Sequence, residues 1–299
     1  MSYKHRKGIM ASFRYLLMTL LAFVFATPII FMLVSSLKPS LQILRDSSSL
    51  LAFLPVGEIS VDNYFRAADR APIGRFLFNS FLVTSITVSL GLFVNSLLGF
   101  SLANMRWKGK GILLSIVIAT LILPFETIAV PLLLVVSRLP WIGSEGLTFG
   151  WFNSYQVQIL PFIVDAFSIY LFVQFFKSIP KELFEAARID GATWFQIFAR
   201  IVVPISGPVF ATAAILRGLY MWNQYLWPSM VVQTNEFRPV MIGLGFFWQT
   251  FGSNTPGEGV LPWGEMMAYL SIITIPLIVF FLSLQKAFVE SIASTGIKG

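Results

Sequence analysis

Residues 178–204 read SIPKELFEAARIDGATWFQIFARIVVP, and two short helices are written into them. Pro180 suits a first helical position, where its missing N–H would have no intrahelical partner anyway. Glu182 and Glu185 follow in the early turns, where negative charge favours the helix dipole. Gly191 then ends the helix, being free to turn left-handed. Thr193 and Gln196 have capping-box spacing, which predicts a second helix running from there toward Pro204. Ala186 and Ala187 are small enough to let another surface approach closely, and Leu183, Phe184 and Ile189 offer it apolar contact. On helical pattern alone the segment is either a docking knob or an amphipathic connector resting on the membrane interface.

On both sides of this segment the chain is strongly apolar. Of its 299 residues 56% are hydrophobic and 12% charged, with a mean hydropathy of +0.78. A soluble domain carries about 25% charged residues, so half that share makes lipid the solvent for much of the surface. We read six apolar runs, at 15–37, 76–103, 111–137, 155–179, 201–227 and 266–285, each near the roughly 20 residues that cross a bilayer. The first follows a basic flank and is too long for a signal-peptide apolar region, which predicts a retained span. The sequence has no cysteine, which excludes disulfides and thiolate metal sites, and its one histidine is His5.

The net charge of +7 does not point to nucleic acid, because the cations are not gathered into one stripe with stacking aromatics. They divide by membrane side instead. The short 104–110 connection holds Arg106, Lys108 and Lys110 and no acid, and Lys4, Arg6, Lys7 and Arg14 precede the first run. By the positive-inside rule both termini are cytoplasmic, as is the 180–204 segment. Outside lie 38–75, 138–154 and a glycine-rich 228–265, in which Gly243, Gly245, Gly252, Gly257, Gly259, Gly264, Pro256 and Pro262 argue against regular helix and for a protruding, partly irregular loop.

Glu185-Ala186-Ala187, Asp190-Gly191-Ala192, Ile201 and Pro204 together resemble the signature loop of ABC-importer permeases, with Val203 where leucine is usual. Asn79-Ser80, Arg106 to Gly109, Trp222 to Pro228 and the tail Thr295 to Gly299 resemble the shorter permease of maltose-type sugar importers. The resemblance implies an all-α, polytopic fold of the type I importer class: one transmembrane permease domain over 1–299 with six transmembrane helices and a cytoplasmic coupling helix-turn-helix. It implies that Glu185, Ala186, Ala187, Asp190, Gly191, Ala192, Pro204 and Lys298 meet the ATPase. The implied partners are a second, non-identical permease, two ATP-binding subunits and an extracytoplasmic solute-binding protein, in a bacterial inner membrane. ATP and Mg would then sit on the ATPase; this chain has no G-x-x-x-x-G-K-[ST] loop and would hold no cofactor or metal of its own. The implied cargo is a sugar or oligosaccharide, with an acidic sugar such as alginate within the range.

Glu126, Asp165 and Arg217 fall in or near the ends of apolar runs, where ionisable groups are costly and point to function. Glu126, between Pro124 and Pro131, suits a broken or emerging span. Asp165, beyond Pro161, suits a helix cap or a cation's partner. Arg217 shares its run with Tyr220, Trp222, Asn223 and Gln224. It either lines a substrate path and favours an acidic sugar, or pairs with Asp165 or Glu126. Two other classes compete. An intramembrane hydrolase lacks H-E-x-x-H and a complete G-x-S-x-G turn, and a secondary transporter would not need the 180–204 loop.

Overall fold

The computed structural model describes residues 3–143, 146–249 and 262–296. They are mostly helical. The chain divides into two compact units: Met1–Ile73 with Leu244–Ile275, and Gly74–Gly243 with Pro276–Gly299.

The first unit opens with α1 (Tyr3–Ser35), an apolar helix that is mostly uncovered within the chain until its last residue, the buried Ser35. The residues after it, expected only as an external loop, are folded around a buried cation. α2 (Ser40–Asp46) and α3 (Asp62–Arg70) flank a 3-10 turn at Leu50–Phe53. Lys38 is 1% exposed, and its Nζ donates to Asp46 Oδ2 at 3.0 Å and to the Leu51 carbonyl at 2.7 Å. Gln42 donates to the same carboxylate and to the Val56 carbonyl. The Lys38 hydrogen bond holds the Asp46 carboxyl below the usual carboxylate range. Asn63 donates to the carbonyls of Ser36 and Lys38, and a Cβ added to Gly264 would lie 2.5 Å from the Asn63 amide, so only glycine fits there. Arg70 pairs with Glu265.

The second unit begins on α4 (Ile73–Asn104), which is followed by α5 (Lys110–Thr120), α6 (Phe125–Val136), and a hairpin of β1 (Pro140–Gly143) and β2 (Gly146–Phe149). Pro140 pairs with Phe149 and Trp141 with Thr148. This hairpin is the one departure from helix among the described elements. Then come α7 (Tyr155–Ile159), α8 (Ala166–Lys177), α9 (Lys181–Ile189), α10 (Trp194–Ile197), α11 (Val203–Ile205), α12 (Gly207–Trp222), α13 (Leu226–Val231) and α14 (Val240–Gly243). α15 (Gly245–Gln249) belongs to the first unit, and α16 (Trp263–Gly296) runs from the first into the second.

Four stretches are long and apolar enough to cross a membrane: Ser12–Ser35, Ile73–Asn104, Tyr155–Lys177 and Trp263–Lys286. The third and fifth apolar runs are broken, the third where Glu126 suits a broken or emerging span and the fifth where a continuous run is expected. Lys110–Thr120 and Phe125–Val136 meet at 109°, and Trp194–Ile205 and Gly207–Trp222 at 80°; six spans result if each pair is one. Pro124 explains the first break, since proline offers no N–H and pushes the residue before it out of helical geometry. Glu126, placed just past that break, is exposed. At the second, Ser206 is followed by Gly207-Pro208, and the buried Ser206 hydroxyl donates to the Val202 carbonyl at 2.6 Å.

The described parts of the glycine-rich 228–265 segment, 228–249 and 262–265, include short helices. They hold α14, α15 and the start of α16, because Gly243 and Gly245 fall at the ends of short helices and Pro262 just precedes one. Residues 236–240 are tied down by Asn79, which donates to the carbonyls of Glu236 and Arg238, and by Ser80, whose hydroxyl accepts from the Val240 N–H. Gly252, Pro256, Gly257 and Gly259 lie outside the described residues.

Candidate functional site

The 180–204 segment folds as a helix, a tight turn and a second helix. Pro180 takes the N-cap position, one residue earlier than expected, and α9 starts at Lys181. Its end is a Schellman arrangement: the Ala192 N–H donates to the Ala187 carbonyl at 2.9 Å and the Gly191 N–H to the Arg188 carbonyl at 3.1 Å. Gly191 sits at φ +82°, the left-handed conformation the turn requires. The capping box is fully formed, with the Gln196 N–H donating to Thr193 Oγ1 and the Thr193 N–H donating to Gln196 Oε1. Arg188 braces the turn by donating to the Ala192 carbonyl and lying 5.3 Å from the Trp194 ring centre.

Beyond α10 the backbone widens into a π-helix over Phe198–Val202 before α11. Pro204 accounts for it, because its ring crowds the carbonyl four residues back and it has no N–H to donate there; widening the turn relieves both.

The faces of α9 divide the signature residues. Phe184, expected as an outward contact, is buried and faces Phe100 of α4 at 6.3 Å, because Phe100 gathers Phe176, Trp194 and Phe198 around the same point. Ala187 and Ala192 pack on the rim of that cluster, so their small size serves the loop's own seat. Glu185, Ala186, Asp190 and Gly191 are exposed, and so are Leu183 at 45% and Ile189 at 86%. Ile189 thus stands exposed beside small and acidic neighbours on the outer face of α9. Arg106 and Lys110 of the basic connection line a cavity of about 560 Å³ together with Lys181 and Glu185, which brings connection and loop to one end of this unit. Lys298 lies outside the described residues.

The second group expected from sequence separates into different surroundings. Arg217, Tyr220 and Asp165 line one cavity of about 520 Å³, together with Thr120, Phe125 and Ser168. Asp165 caps α8, its Oδ1 accepting from the N–H groups of Phe167 and Ser168. Arg217 Nη2 donates to the Phe162 carbonyl, freed by the irregular backbone between α7 and α8. Arg217 Nε stands 3.9 Å from Asp165 Oδ2, and the guanidinium lies 5.1 Å from the Tyr220 ring centre. Pairing with Asp165 is therefore what the structure contains, and Glu126 is not among the lining residues. Trp222 points elsewhere, with Gly218, into a more apolar space beside Phe280 and Thr84. Asn223 donates to the Leu219 carbonyl of its own helix, and Gln224 borders a narrow gap with Met221 and Trp227. Thr120 and the Phe162 carbonyl escaped the sequence reading; the nearest signal for them was Pro161 followed by Asp165, a broken helix with a new cap.

Residues 95–294 match the family of binding-protein-dependent transport system inner membrane components. Over 280 residues the chain is 31% identical to the arabinooligosaccharides transport system permease protein AraQ of Halalkalibacterium halodurans, covering 93% of each. It is 33% identical over 227 residues to the sn-glycerol-3-phosphate transport system permease protein UgpE of Shigella flexneri, covering 75% of this chain and 74% of that one. A crystal structure of a bacterial ABC transporter involved in import of the acidic polysaccharide alginate superposes with a TM-score of 0.75 at 21% identity, covering 96% of this chain and 99% of that one. That last likeness is one of fold. The chain belongs to the binding-protein-dependent inner membrane component family, and is a permease of an ABC importer.

Proposed function

We propose that this chain is one of two non-identical permeases that together form the alternating-access pore of a bacterial sugar or oligosaccharide importer. The single observation that carries the reading is the 180–204 loop: a capped, glycine-closed helix whose inner face is fixed by Phe184 and Ala187 while Glu185, Ala186 and Ile189 stay exposed. Such a helix is held rigidly from behind and left uncovered in front, as a coupling element seated in an ATPase subunit must be. ATP and Mg belong to that subunit, and Glu185 meets a basic group on it. An extracytoplasmic solute-binding protein delivers the cargo, in keeping with the family's description. Both termini and the loop are cytoplasmic, on the evidence of the basic 104–110 connection beside it. The saccharide cargo rests on the AraQ relative, which covers nearly all of the chain. Within this unit the substrate path runs by Asp165, Arg217 and Tyr220, while Trp222, Asn223 and Gln224 serve packing and helix ends.

The test is affinity purification of the tagged chain from its native membrane, followed by ATPase measurement with saccharide-loaded binding protein. A second permease and an ATPase subunit should co-purify, and hydrolysis should rise with loaded binding protein. Recovery of the chain alone, or hydrolysis indifferent to the binding protein, overturns the reading.

A further inference from the structure

We infer that the Asp165–Arg217 pair selects an uncharged, hydroxyl-bearing stretch of saccharide and rejects carboxylate or phosphate, an inference that rests on the reading of this chain as half of a sugar pore. Both side chains are held by their other atoms. Asp165 Oδ1 is committed to two backbone N–H groups of α8, and Arg217 Nη2 to the Phe162 carbonyl. Each then keeps one buried atom, Asp165 Oδ2 and Arg217 Nε, with no hydrogen-bond partner. Their side chains are only 16% and 10% exposed. Both residues line the 520 Å³ cavity.

The 3.9 Å between these atoms is too long for a hydrogen bond and short enough to be bridged. Both atoms are closed off as they stand, so a bound hydroxyl must part the side chains toward the cavity; its oxygen, about 2.7–2.9 Å from each, then closes the triangle, accepting from Arg217 Nε–H and donating to Asp165 Oδ2. A carboxylate or phosphate oxygen can accept from the arginine but has no proton for the aspartate, and sets two anions against each other. No other lining residue of this cavity is charged: Thr120, Ser168 and Tyr220 supply the remaining polar groups, and the exposed Glu126 is not in the lining. The cationic potential expected from Arg217 alone is thus cancelled at its source. Tyr220, beneath the guanidinium, adds an aromatic wall against which a sugar face can lie.

The test uses the complex of this chain with its partner permease and ATPase subunits, in lipid and without binding protein, and two probes that differ at C6 of each ring, hydroxymethyl against carboxylate, and keep their ring hydroxyls: galactotriose and trigalacturonate. Saturation-transfer NMR titrations should show galactotriose binding at least about tenfold more tightly, the ratio that about 1.4 kcal/mol gives. Asp165→Asn keeps the cap oxygen for α8, and asparagine caps as well as aspartate. That variant removes the anion, and should bring the two affinities together by about tenfold. Equal or tighter binding of the uronate by the unaltered complex, binding of neither probe, or an unmoved ratio in Asp165→Asn overturns the inference. If the same complex still couples loaded binding protein to ATP hydrolysis, the selectivity falls and the permease reading stands.

Discussion

The 180–204 loop and the Arg217 cavity, proposed above for coupling and for the substrate path, are built in opposite ways. The loop is assembled from neighbours: the Schellman turn and the capping box bond residues no more than five positions apart. The cavity takes Thr120, Phe162, Asp165, Arg217 and Tyr220 from three separate stretches, and its sole ion pair joins residues 52 positions apart (217 less 165). Local bonds fix the loop's turn and caps, whereas the cavity exists only once the helices have packed. The turn and caps should tolerate changes outside 178–204 that spare the loop's seat on Phe100, and the cavity should fail when any of its three stretches shifts.

The largest expected effect lies where the loop depends on tertiary packing after all. Phe184→Ala removes a buried aromatic side chain from the Phe100 cluster, a change that costs about 3–5 kcal/mol. Thermal unfolding of the purified complex should move down by several degrees, and ATPase co-purification should drop. An unmoved midpoint would mean that the loop is not seated on α4.

Next comes Gly191→Val. A Cβ there meets nothing within 4 Å, so the cost is backbone strain alone, about 1–3 kcal/mol for a β-branched residue at φ +82°. The second helix is redirected, so membrane insertion should be normal while ATPase association and uptake are lost. Retention of both at normal expression would show that the turn is not needed for coupling.

The cavity side of the comparison is sharpened by a double-mutant cycle of Arg217→Gln and Asp165→Asn. Contacting residues couple by about 0.5–3 kcal/mol, so the paired change should destabilise less than the sum of the two single ones in denaturant titration. Strict additivity would mean that the 3.9 Å approach carries no energy. The smallest effect belongs to Thr193→Ala, which removes one cap hydrogen bond at about 1 kcal/mol. It should reduce uptake by a few-fold, and Thr193→Ser should restore it.

The same contrast decides what could be read without coordinates. Gly191, Thr193 and Gln196 reveal themselves because each acts on backbone a few residues away, and all three occur as the spacing predicts. Spans Ile73–Asn104 and Trp263–Lys286 follow directly from apolar length. Phe184 is not legible as a buried residue, because helical periodicity alone does not tell which of two faces meets the protein; Phe100, far away in the chain, decides it. Arg217 was grouped with Trp222 because they are close in sequence, yet a helix turns residues 217 and 220 to one side and 218 and 222 to another. The buried Lys38 is invisible for the reverse reason: a lysine after an apolar run is usually a surface charge, and nothing in the sequence marks its partners, Asp46 at the end of α2 and the Leu51 carbonyl of the 3-10 turn.

The ring of aromatics on Phe100 has a mechanical consequence. Phe184, Trp194 and Phe198 grip that residue from both helices of the loop, and the neighbouring Gly99 lets α8 approach so closely that an added Cβ would stand 2.6 Å from Phe172 Cβ. Close-packed interiors transmit displacement with little give. A push on α9 is therefore a push on α4 and α8, delivered with the stiffness of a lever arm. At residues 121–124 and Ser206 the helices are broken, so a displacement there is not carried along one continuous helix.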